Sequence, residues 1–96
     1  MAILFLHNNN LVHRDLKPEQ LLINKEKDGR ETIKMSDFGM CVELLNGSRN
    51  TFCGTVEYIA PEILREKPYK QEIDIWALGV LLYEMLHGYS PNVGIL

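Results

Sequence analysis

The segment EIDIWALGVLLYEMLH, residues 72–87, constrains this chain more than any other part of it. Between its end residues every position is apolar except Asp74, Gly79 and Glu84, so a helix here has no face suited to water. A helix that is hydrophobic all round belongs in the core of a large protein or in lipid. Spanning a bilayer takes roughly 20 apolar residues, and charges inside it are costly. This run is shorter and holds Asp74 and Glu84, which favours the protein core. A chain of 96 residues buries only about 60–70% of its unfolded surface, too little to enclose such a helix on every side. The chain is therefore expected to be a piece of a larger domain, with a buried helix at about 72–87.

The charge balance narrows the class of partner. Ten Lys and Arg against 13 Asp and Glu give a formal net charge of -3, and the basic residues are scattered along the chain. A nucleic-acid backbone or an anionic membrane selects a basic stripe, so no nucleic acid and no membrane span are expected. The opening MAILFLHNNN has a short apolar run with no basic residue before it, unlike a secretory signal. The expected location is cytoplasmic, with the nucleus as the alternative. Cys41 and Cys53 are isolated, without a CxxC pair, and read as reduced thiols. Asn46-Gly47-Ser48 matches a glycosylation sequon but reads as a turn in a chain without a signal peptide.

Local patterning gives a mixed α and β order. Residues 2–7 read as an apolar helix end closed by asparagines, followed by a short strand at Leu11 and Val12. LLIN and TIKMSDF read as two short strands joined at the Asp28-Gly29 turn. Residues 40–59 show no sustained period, and a loop of that length in a compact domain is usually functional or disordered. APEILRE starts a short helix with Pro61 in its first turn.

Two acids stand out on this frame. Asp15 lies in HRDLKPEQ after the first strand, and Asp37 lies in SDFG at the end of the ribbon, whose hairpin can bring the two side by side. Phosphoryl transfer needs such a pair: one carboxylate to accept the proton of the attacking hydroxyl, another to hold magnesium near the transferring group.

HRDLKPE, DFG, GTVEYIAPE and DIWALG, in that order, resemble the catalytic domain of eukaryotic protein kinases over roughly residues 2–91. HRDLK and the threonine of GTVEY resemble the serine/threonine branch. DFGMC and NTFCGT are most similar to the branch containing the cyclic-nucleotide-dependent and protein-kinase-C enzymes. The resemblance implies an α+β, protein-kinase-like fold: a partial C-terminal lobe, mainly helical with short β-hairpins, with the N-terminal lobe absent. No GxGxxG occurs in the 96 residues, and by themselves they are expected to be inactive. The implied divisions are a catalytic loop at 13–20, an activation segment at 37–62 and the buried helix.

Residue by residue, the resemblance implies that Asp15 is the catalytic base and that Lys17 contacts the transferring phosphate. Asp37 would bind magnesium, with Gly39 allowing a sharp turn after it. Thr55 would hold Asp15 and Lys17, and Asp74 would accept backbone hydrogen bonds from the HRD loop. Glu62 would pair with an arginine further along. Thr51 would be phosphorylated and received by Arg14. The implied cofactors are ATP and Mg2+, and the implied partners are a protein substrate with Ser or Thr and an upstream activating kinase.

Gln20 is the main departure. The family's loop ends in an asparagine that binds a second magnesium, and the glutamine moves that amide by one methylene. A misplacement of about 1 Å in a site can cost roughly 100-fold in rate. Val56, where the family usually has proline, and Asn92, where an aromatic is common, are smaller departures. Three readings follow: a fragment of an active serine/threonine kinase, a pseudokinase or scaffold module, and a truncated product with no activity of its own.

Overall fold

The computed structural model describes residues 2–44 and 48–91; the turn expected at Asn46-Gly47 and the tail from Asn92 lie outside the described residues. Helix α1 (Ala2–Asn8) leads into strand β1 (Leu11–Val12), and a 3-10 turn (Pro18–Gln20) leads into β2 (Leu21–Lys25) and β3 (Glu31–Met35). After β4 (Val42–Glu43) come a second 3-10 turn (Val56–Tyr58), helix α2 (Pro61–Leu64) and helix α3 (Glu72–His87).

The β2–β3 ribbon is antiparallel, running from Leu21 opposite Met35 to Lys25 opposite Glu31. Its turn is the expected one. Gly29 takes φ +89, a conformation open to a residue without Cβ, while the Asp28 carboxylate accepts from the backbone N–H and the Nε–H of Arg30. The second sheet was not legible: β4 lies inside the 40–59 stretch read as aperiodic, and pairs antiparallel with β1, Val42 opposite Val12. Two residues are too few to display a period of two.

Two apolar clusters hold these pieces together. One gathers Ile3 and Leu6 of α1, Leu16, Tyr58, and Ala77, Val80 and Leu81 of α3. The other gathers Val12, Ile59, Ala60, Ile63, Tyr69 and Ile73. Helix α3 contributes to both and is the element around which the loops are arranged. It ends at Gly88, whose left-handed φ of 83 and N–H bond to the Glu84 carbonyl close the last turn.

Within the described residues α3 is covered on one side only, in keeping with a chain too short to enclose it. Ile73, Asp74, Ala77, Val80 and Leu81 are buried, at spacings that define one helical face, whereas Ile75, Trp76, Leu82, Met85 and Leu86 are exposed. The described residues pack α1, Leu16 and the second 3-10 turn against a single side of the helix. Among the described residues no helix is long and apolar enough to cross a membrane.

Candidate active site

The site is assembled on Asp74, in the first turn of α3. Its side chain is 1% exposed. Oδ2 accepts the backbone N–H of His13 at 2.8 Å and Oδ1 accepts that of Arg14 at 3.0 Å. His7 places Nε2 2.9 Å from Oδ2; a carboxylate can only accept, so this nitrogen carries the proton. Three hydrogen bonds thus satisfy a buried charge that would otherwise be costly. They also hold Arg14 at φ 73, a left-handed conformation that costs a non-glycine residue roughly 1–2 kcal/mol. The HRD loop is therefore bent by tertiary bonds rather than by its own preference.

Beyond that bend three of the candidate side chains converge. Thr55 Oγ1 donates to Asp15 Oδ1 at 2.8 Å and accepts from Lys17 Nζ at 2.9 Å. Lys17 Nζ is also 3.7 Å from Asp15 Oδ2. One hydroxyl so fixes the separation of a carboxylate and an ammonium, and both stay partly open to solvent. Thr55 is delivered by Gly54, at φ +110, where an added Cβ would lie 3.0 Å from the Arg14 carbonyl oxygen. That approach of backbone to backbone requires glycine.

Asp37 sits at the end of β3, which is tied to the first 3-10 turn by Ser36, whose N–H and hydroxyl both donate to the Gln20 carbonyl. Here the turn differs from the expected one. Asp37 itself takes the positive φ, 55, and Gly39 does not. The Gly39 N–H donates to Asp37 Oδ1 at 3.1 Å, closing an Asx turn, and an added Cβ at Gly39 would crowd that oxygen at 3.1 Å.

Gln20 is buried, and its Nε2 donates to Asp37 Oδ2 at 3.4 Å, a weak bond. In this orientation the amide N–H caps the carboxylate. Among the described residues no group of three or more His, Cys, Asp or Glu could hold a metal ion. A carboxylate with a nearby amide fits magnesium, which takes one or two carboxylates and completes its shell with waters and substrate phosphates.

Arg14 and Thr51 do not touch directly. Arg14 Nε donates to the Met40 carbonyl at 2.6 Å and Nη1 to the Tyr69 hydroxyl at 3.3 Å, while that hydroxyl donates to the Thr51 carbonyl at 2.8 Å. Glu62 forms no ion pair among the described residues. His13 is fully buried and accepts the Asp15 N–H on Nδ1 at 3.2 Å, with Phe38 edge-on at 5.5 Å. Its Nε2 has no hydrogen-bond partner among the described residues.

Sequence reasoning missed His7 and Tyr69. Each is an isolated residue whose partner lies tens of residues away, so no local pattern marks it. Gln71, which reaches back to the His7 carbonyl at 2.9 Å, is likewise silent in the sequence.

The sequence is matched by known proteins. The protein kinase domain family matches residues 1–94. An Aurora kinase of Yarrowia lipolytica is 46% identical over 90 residues, covering 94% of this chain and 23% of that protein. The serine/threonine-protein kinase Sgk1 of Rattus norvegicus is 49% identical over 92 residues, covering 94% of this chain and 20% of that protein. Sgk1 of Xenopus tropicalis is also 49% identical over 92 residues, covering 94% of the chain and 21% of that protein. The chain thus spans about a fifth of the length of these curated relatives. With helices, small antiparallel sheets and the four motifs in order, it belongs to the protein kinase domain family.

Proposed function

We propose that the chain is the catalytic-loop portion of the C-terminal lobe of a serine/threonine protein kinase, and that the whole protein transfers the γ-phosphate of ATP to Ser or Thr hydroxyls of a protein substrate. The observation that carries this reading is the Thr55 hydroxyl bound to both Asp15 and Lys17. Asp15 is assigned as the base that orients the substrate hydroxyl and accepts its proton. Lys17 brings a cation to the transferring phosphate, and Thr55 keeps the two at working distance. Asp37, with Gln20 beside it, would hold Mg2+, which when bound neutralises charge on the phosphoryl oxygens. Residues 13–20 serve as the catalytic loop, 37–62 as the activation segment and α3 as the platform beneath both. Thr51 is assigned as the phosphorylated residue, Arg14 as its receiver and an upstream kinase as its source, all in the cytoplasm or nucleus.

A second reading, a pseudokinase that binds without transferring, is favoured by the Gln20 amide N–H resting on Asp37, where a co-ligand oxygen would be needed. Magnesium-dependent γ-phosphate transfer by the full-length protein tests both. The kinase reading expects transfer that is lost in Asp37→Ala and a tighter magnesium dependence in Gln20→Asn. Nucleotide binding without transfer in the wild type would support the second reading instead.

A further inference from the structure

The stretch 49–53 poses a physical question. Arg49, Asn50, Thr51 and Phe52 are all exposed, so little apolar burial holds them, and what ties their backbone down is a small set of hydrogen bonds. Tyr69 fixes it from two sides. Its own N–H and carbonyl pair with the carbonyl and N–H of Arg49 at 2.7 and 2.9 Å, an isolated antiparallel bridge. Its phenol, 1% exposed, crosses beneath the stretch. There the hydroxyl donates to the Thr51 carbonyl at 2.8 Å, accepts from Arg14 Nη1 at 3.3 Å and lies 3.7 Å from Cys53 Sγ. Burial raises the pKa of this phenol above its ordinary 10.0, against an opposing hydrogen bond from Arg14, so the hydroxyl keeps the proton it donates.

The Tyr69 hydroxyl is thus the link between the cationic side chain of the HRD loop and the main chain at Thr51. We propose that Tyr69 is a positioning residue that holds the 49–53 stretch against the catalytic loop when Thr51 carries no phosphate. The inference rests on the proposed role of Thr51 and adds what orders the segment before modification. Phosphate at Thr51 would supply acceptor oxygens to Arg14. The neutral link through Tyr69 then matters less, and its contribution is concentrated in the unmodified state.

Tyr69→Phe deletes the hydroxyl and keeps the buried ring, so the variant retains the packing that surrounds Ile59, Ile63 and Ile73. Two measurements on the full-length protein decide the proposal. Hydrogen exchange of the Arg49 amide, which donates to the Tyr69 carbonyl, should quicken by about 2- to 10-fold in Tyr69→Phe when Thr51 is unmodified, the worth of one net hydrogen bond. The amides of the β2–β3 ribbon should not change. Phosphotransfer by the unmodified form should fall by a similar factor while the Thr51-phosphorylated form loses less than about 2-fold, so that activation by phosphorylation grows. Unchanged exchange at Arg49, or an equal loss of activity in both forms, would overturn it. The exchange arm needs no turnover. If the wild type transfers no phosphate, the functional reading fails while the anchoring role is still decided.

Discussion

Replacing Asp74 by alanine should unfasten the HRD loop from α3. The carboxylate accepts two backbone N–H groups, from His13 and Arg14, and the Nε2–H of His7. His13 is fully buried and cannot turn its N–H to water. Each buried donor left unpaired costs about 1–3 kcal/mol, so the two N–H groups together cost about 2–6 kcal/mol. Part of this returns if Arg14 relaxes from its left-handed φ of 73, a conformation that stores roughly 1–2 kcal/mol. A net loss of about 3 kcal/mol follows, and for a domain of 150–250 residues each kcal/mol lowers Tm by about 2–4 °C. Thermal unfolding of the full-length protein should therefore show Tm lower by about 6–12 °C in Asp74→Ala. His7→Ala, which removes one bond and leaves both N–H groups satisfied, should cost about 1 kcal/mol. A drop below about 2 °C in Asp74→Ala would refute the account of the loop.

Two further outcomes follow from local geometry. Gly54→Ala would force a Cβ against the Arg14 carbonyl at 3.0 Å with φ +110, so it should lose at least about 1–3 kcal/mol in chemical denaturation, with activity falling alongside as Thr55 shifts. Burial, with a smaller push from Asp74 and an opposing pull from Arg14, raises the Cys41 thiol above its ordinary 9.0. It should therefore remain a thiol at neutral pH and react with iodoacetamide more slowly than an unstructured cysteine peptide, with the rate rising as pH increases; mass spectrometry of the alkylated protein checks this.

What could be read from the sequence was what is local. The ribbon followed from Asp28-Gly29 between two apolar runs, and α2 from Pro61. The convergence of Asp15, Lys17 and Thr55 followed from motif resemblance rather than from any pattern of hydrophobicity. The covered face of α3 was not legible because its apolar residues occupy every face, so periodicity carries no direction; packing against α1 and Tyr58 chooses the side. The left-handed residue of the turn after β3 was placed two residues late. Gly39 looked like the flexible residue, whereas Asp37 takes the positive φ and uses its own carboxylate to bind the Gly39 N–H. Tyr69 and His7 act through partners far away in the chain, and single aromatic or imidazole residues give no spacing to recognise.

The central claim is that Asp15, held by Thr55 beside Lys17, is the proton acceptor in phosphoryl transfer. Asp15→Asn is a narrow probe of it. The amide keeps an oxygen to accept the Thr55 hydroxyl at the 2.8 Å position, so the loop stays folded, but it cannot take up the substrate's proton. The rate of γ-phosphate transfer from ATP to a Ser/Thr substrate by the full-length protein should fall by about 100- to 10,000-fold, with Tm unchanged within about 2 °C. Turnover equal to the wild type in Asp15→Asn would contradict the account.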